Sequence, residues 1–137
     1  MKEKTILVVN SADTLRRITL HALMGLNCRR VVEAAGIEEA EEEIIKIDDD
    51  ILVILELTIS KYRTEELDLL QRLRQYSKLK NIGVIVTSLV RDEELNEYLS
   101  MIGLEEPLIK TFDMNLFSHE LDQAIQMAES KFETNSI

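Results

Sequence analysis

Tryptophan is absent from this 137-residue chain, proline and cysteine occur once each, glycine four times, and aromatic residues make up only 4%. With so few rings available, the core has to be built from aliphatic side chains. The lone cysteine, Cys28, excludes an intramolecular disulfide framework and any cysteine-paired zinc site, and it reads as a buried or inert thiol. The isolated glycines form neither a GxGxxG nor a P-loop pattern, so the backbone cradles that hold nucleotide phosphates are missing. A GxSxG elbow for a serine hydrolase is missing as well. The two histidines, His21 and His119, stand on predicted helices without HExxH or comparable spacing, and they read as surface residues rather than metal ligands or bases. Long apolar runs are also lacking: Ile6-Leu7-Val8-Val9 ends at Asn10, far short of a signal-peptide core, and nothing approaches a membrane span. These gaps lead to the expectation of a cytoplasmic protein that is neither an enzyme nor bound to a membrane.

Negative charge is what the chain has in excess. Sixteen basic and 26 acidic residues give a formal net charge of −10. Eight acids and one lysine between Glu38 and Asp50 account for −7 of it. Such a surface repels phosphate backbones, so nucleic acid is not an expected partner. The proportions of hydrophobic (45%) and charged (31%) residues are ordinary for a folded domain. The length corresponds to a single domain, 1–137, with its core at about 4–129 and a polar tail, 133–137, expected to fray.

Short apolar runs alternate with helical patterns, which is the signature of a parallel sheet buried on both faces. The runs are 5–9, 31–34, 51–57, 82–87 and a weak 108–110. Between the first two, Leu15, Ile18, Ala22 and Leu26 recur at helical spacing, with Asp13 placed to cap the start and Gly25 near the end. The acidic stretch carries Ala40, Ile44 and Ile47 on one stripe, so its glutamates form a solvated face rather than a ligand cluster. Thr64 opens a third helix (Leu67, Leu70, Leu73), with Glu65 and Glu66 suiting the dipole of its first turn. A fourth, from about Asp92, carries Leu95, Leu99 and Ile102 and stops at Gly103. The fifth, from about Asp113, repeats Phe117, Leu121, Ala124, Ile125, Ala128 and Phe132. Five βα units with right-handed crossovers predict an α/β, flavodoxin-like doubly wound (βα)5 fold with parallel sheet order 2-1-3-4-5, since five strands cannot close an eight-stranded barrel. Ligands in such sheets lie beyond the carboxyl ends of the strands. The residues there are Asn10, Ser11, Glu56, Leu57, Thr58, Thr87, Ser88, Lys110 and Thr111.

At those strand ends the sequence resembles the CheY-like receiver domain of the response regulators of two-component signalling. ILVVNSADTLRRI is similar to the family's first strand and helix, where an acidic pair would stand at Asn10 and Ser11. DILVILELTIS is similar to the third strand, placing the phosphoacceptor aspartate at Glu56 and a proline at Ser60. VIVTS supplies the fourth-strand hydroxyl at Thr87, and GLEEPLIKTF the lysine at Lys110, with threonine where the family has proline. The switch aromatic would fall at Pro107, which cannot toggle.

These departures change the chemistry that the resemblance implies. Mg²⁺ leans on carboxylates, and here one of three is left, so metal binding is expected to be weak or absent. Glu56 reaches about 1.5 Å further than aspartate, the length of one C–C bond, in a reaction that depends on positioning. The resemblance thus implies an atypical receiver, a pseudo-receiver, acting by protein contact with little or no aspartyl phosphorylation. Glu56, Thr87 and Lys110 form either a lock that imitates the phosphorylated state or a patch left from an ancestor. The implied partner is another signalling protein, or a second copy, met through the fourth helix, fifth strand and fifth helix. Tyr98, Met101 and Met127 lie off the apolar stripes there and are expected to meet water. Two alternatives stay open: a receiver still phosphorylated by a histidine kinase, and a small flavodoxin-like ligand binder. The loop Asn10-Ser11-Ala12-Asp13-Thr14 offers no glycine for a flavin phosphate. Where the family's lysine-proline bond is commonly cis, Lys110-Thr111 is predicted trans, because a cis bond before a non-proline residue costs about 2.5 to 4 kcal/mol.

Overall fold

A computed structural model describes residues 4–26, 28, 30–57, 64–76, 81–105, 107–110 and 113–135. Strands and helices alternate: β1 (Lys4–Val9), α1 (Asp13–Gly25), β2 (Val31–Ala34), α2 (Ile37–Lys46), β3 (Asp50–Glu56), α3 (Thr64–Tyr76), β4 (Ile82–Ser88), α4 (Glu93–Met101), β5 (Leu108–Ile109) and α5 (Met114–Asn135). The strands form one parallel sheet in the order β2-β1-β3-β4-β5, as the alternation predicts.

Alternate residues of the central strands serve two cores. Leu7, Val9, Ile51, Val53 and Leu55 face one side with Ala40, Ile44, Leu69 and Leu70. Ile6, Val8, Leu52 and Ile54 face the other with Leu23, Phe117 and Leu121. Because helices cover both faces, Ile51 to Leu55 are no more than 1% exposed, and a continuous apolar run is what such a strand requires. Gly83 lies close under α5: a Cβ there would sit 3.2 Å from both Leu52 Cδ1 and Phe132 Cζ.

The helix ends refine the sequence reading. Asp92 accepts from the Glu94 and Leu95 amides, and Asp113 from those of Asn115 and Leu116, so both act as N-terminal caps. Asp13 does not, contrary to expectation. It lies inside the first turn and binds Arg16 at 2.6 Å, while the loop before α1 is braced by Asn10 Oδ1, which accepts from the Ala12 amide at 2.9 Å. α4 ends on Gly103 at φ 81°, a left-handed cap, and the Leu104 amide returns to Leu99 O at 2.8 Å. α5 runs as helical backbone through Asn135, with Phe132, 7% exposed, packed against the sheet, while residues 136 and 137 of the tail lie outside the described residues. β5 is shorter than expected and pairs only with Thr87 and Ser88 of β4. Leu104 is anchored to α4 only four positions before Leu108, so the chain enters the sheet late. No described helix is long and apolar enough to cross a membrane.

Candidate functional site

Three neighbouring strands bring their carboxyl ends together. The register sets Glu56 of β3 opposite Thr87 of β4. The Lys110 amide, just past β5, donates to Ser88 O at 2.9 Å. The side chains converge accordingly: Thr87 Oγ1 donates to Glu56 Oε2, and Lys110 Nζ lies 3.0 Å from Glu56 Oε1. Lys110 Nζ also donates to Leu15 O at 3.0 Å. That direction leaves Oε1 with a charged neighbour but without a well-aligned donor. The Lys110 and Glu56 side chains are 3% and 2% exposed. Loss of water pushes the lysine pKa below its usual range, outweighing the pull of the Glu56 carboxylate.

The β1 end is organised differently. Asn10 is 4% exposed, its Oδ1 is taken by the Ala12 amide, and its Nδ2 has no partner among the described residues. Ser11 is exposed. Arg16, not singled out by the sequence reading, clamps this loop. It donates to Asn10 O at 2.8 Å, to Asp13 at 2.6 Å and to Glu33 of β2 at 3.0 Å. The available signals were the i, i+3 spacing of Asp13 and Arg16 and the lone acid inside the 31–34 run. Leu57 is buried, with its amide on Thr87 O, and Ser88 Oγ donates to Val90 O. Pro107 is half-buried ahead of β5. Thr58, Ser60, Thr111 and the Lys110-Thr111 bond lie outside the described residues.

The donor set decides what the pocket can do. Among the described residues it offers one carboxylate, already engaged by a hydroxyl and an ammonium, and one amide oxygen already accepting from the backbone. Among the described residues no three His, Cys, Asp or Glu side chains gather where they could hold a metal. A hard divalent cation takes several oxygen ligands, and among the described residues here the one carboxylate is already paired with Lys110.

Of the residues expected on the partner surface, Met101 (84%) and Met127 (55%) are exposed. Tyr98 corrects the expectation: it is half-buried against the core, with its hydroxyl accepting from Gln71 Nε2 of α3 at 3.1 Å. Three residues after Leu95 and four before Ile102, it belongs to the edge of their stripe rather than off it. His21 and His119 are exposed, and Cys28 is half-buried. Burial pushes the Cys28 thiol up, with Asp122 adding to the shift and Lys4 opposing it.

No family model and no curated protein matches the chain. Solved structures do, at low identity. The chemotaxis response regulator CheY4 of Vibrio cholerae shares 18% identity at a TM-score of 0.70, over 90% of this chain and 99% of that one. A CheY-like response regulator receiver domain protein from Methanospirillum hungatei shares 14% at 0.69, over 96% and 99%. The CheY of Borrelia burgdorferi, solved in a complex with CheX, beryllofluoride and Mg²⁺, shares 18% at 0.65, over 92% and 89%. The class is thereby defined: a doubly wound α/β domain with its polar site at the strand ends. Within that class, the fold is that of the CheY-like receiver domains.

Proposed function

We propose that this receiver fold serves as a cytoplasmic pseudo-receiver, a signalling module without catalysis of its own. It works by binding another protein, or a second copy, through α4, β5 and α5, and needs neither phosphorylation nor Mg²⁺. The observation that carries this reading is the buried Glu56 and Lys110 pair, because the residue in the phosphoacceptor place already holds the threonine and the lysine. Asn10 and Ser11 leave no second carboxylate beside it. The exposed Met101 and Met127 support the partner surface. The Borrelia protein, bound to CheX, exemplifies a receiver fold engaged by another protein. Incubation with acetyl phosphate and Mg²⁺ followed by intact-mass analysis tests the reading, with unmodified protein as the expected result. A stoichiometric phosphoryl adduct that vanishes in Glu56→Gln overturns it in favour of a receiver that is still phosphorylated.

A further inference from the structure

Among the described residues, the lower half of β4 has no strand on the side away from β3. Asn81 O and Thr87 O accept from the Ile51 and Leu57 amides on the β3 side, whereas Ser88 O accepts from Lys110 on the other. By the alternation of a strand, the backbone groups of Ile82 and Val84 also point away from β3. β5 begins opposite Thr87, so among the described residues no strand faces Ile82 or Val84. Ile82 and Val84 line a groove of about 810 Å³. Leu70, Leu73 and Leu104 wall it on one side, and Ala124, Met127 and Ala128 on the other. From Ile82 to Val86 the open edge runs about 13 Å at ~3.3 Å per residue, the span of a short strand.

We infer that this groove takes an extended, β-branched segment of a partner protein as a sixth strand, antiparallel to β4 and basic at its amino end. Main-chain hydrogen bonds to Ile82 and Val84 supply the register, and apolar walls on both faces accept alternate side chains. Charge sets the direction. Glu105 and Glu120 stand on the rim nearer Leu108. Lys131 stands at the other end, beside the Phe132 and Ala128 that cover Gly83. An antiparallel strand therefore lays its amino end by the two glutamates and its carboxyl end by the lysine. A second copy is a poorer occupant, because its own β4 edge is recessed between the same helices and each chain carries a net charge of −10. The inference does not depend on how the Glu56 pocket is read.

The probe is the peptide Lys-Lys-Val-Thr-Val-Thr-Val with a free carboxylate, followed by amide hydrogen exchange at single-residue resolution on the full chain. The Ile82 and Val84 amides are expected to exchange readily in the free protein and to slow by about tenfold or more when the peptide saturates. A peptide with proline at the central valine is expected to fail, since it lacks a ladder donor. Met127→Arg, on an exposed position, leaves the fold intact and weakens binding by about tenfold. Absence of binding, equal binding of the proline peptide, or equal binding of a Glu-Glu-led peptide overturns the inference. So does protection of Ile82 and Val84 in the free chain, whether as a monomer or as a dimer in sedimentation.

Discussion

The two halves of β4 present opposite solutions to the same problem of backbone and side-chain polarity. At its carboxyl end Thr87 is tied to Glu56, and Ser88 to Lys110 and Val90. At its amino end Ile82 and Val84 line an apolar groove, with no strand beside them on the side away from β3 among the described residues. Strand ends in this topology are where ligands ordinarily sit. Here that place is occupied from within, and the vacancy lies along the edge.

The largest effect is expected from breaking the closed half. Lys110→Met leaves the Glu56 carboxylate buried beside Thr87, and a buried charge stripped of its partner costs about 3 to 5 kcal/mol. Urea unfolding of Lys110→Met, Glu56→Gln and the double variant should show strong coupling, with the double variant recovering much of the loss. Simple additivity would mean that the pair holds nothing together, and the contrast between the halves would collapse.

A smaller effect is expected from pH. Burial lowers the Lys110 pKa, so between that lowered value and the ordinary lysine value of about 10.4 the unfolded chain holds a proton that the folded chain lacks. Unfolding free energy therefore rises with pH across that window, and Lys110→Met should flatten the rise. Lys4, also lowered by burial, keeps a remainder. Cys28, raised by burial, works against it, so both proteins are best compared in a Cys28→Ala background. An unchanged slope after Lys110→Met would place the lysine in water rather than in the pocket.

Much of the closed half was legible in the sequence, and little of the open half. Glu56, Thr87 and Lys110 end apolar runs, and parallel strands in a known order bring such ends together. The clamp by Arg16 was harder to see because two of its acceptors, Asn10 O and Glu33, belong to other elements. Tyr98 is harder to place because the apolar face of α4 is wider than the stripe of Leu95, Leu99 and Ile102, and it reaches Gln71 of α3 as well as the core. The open edge rests on a length: Leu104 is fixed to Leu99 by the glycine cap, and the few residues left before Leu108 bring the chain in beside Thr87. Apolar periodicity records which residues are buried, but not which backbone groups lack a neighbour.

The central claim is that the Glu56 carboxylate is already engaged by Thr87 and Lys110 within the strand-end pocket. Amide spectra of isotopically labelled protein titrated with Mg²⁺ and beryllofluoride, the pair bound in the Borrelia complex, test it most directly. Resonances of Glu56, Thr87 and Lys110 are predicted to stay in place throughout the titration. Saturable shifts of those three amides, abolished in Glu56→Gln, would contradict the claim and show a pocket open to phosphoryl chemistry.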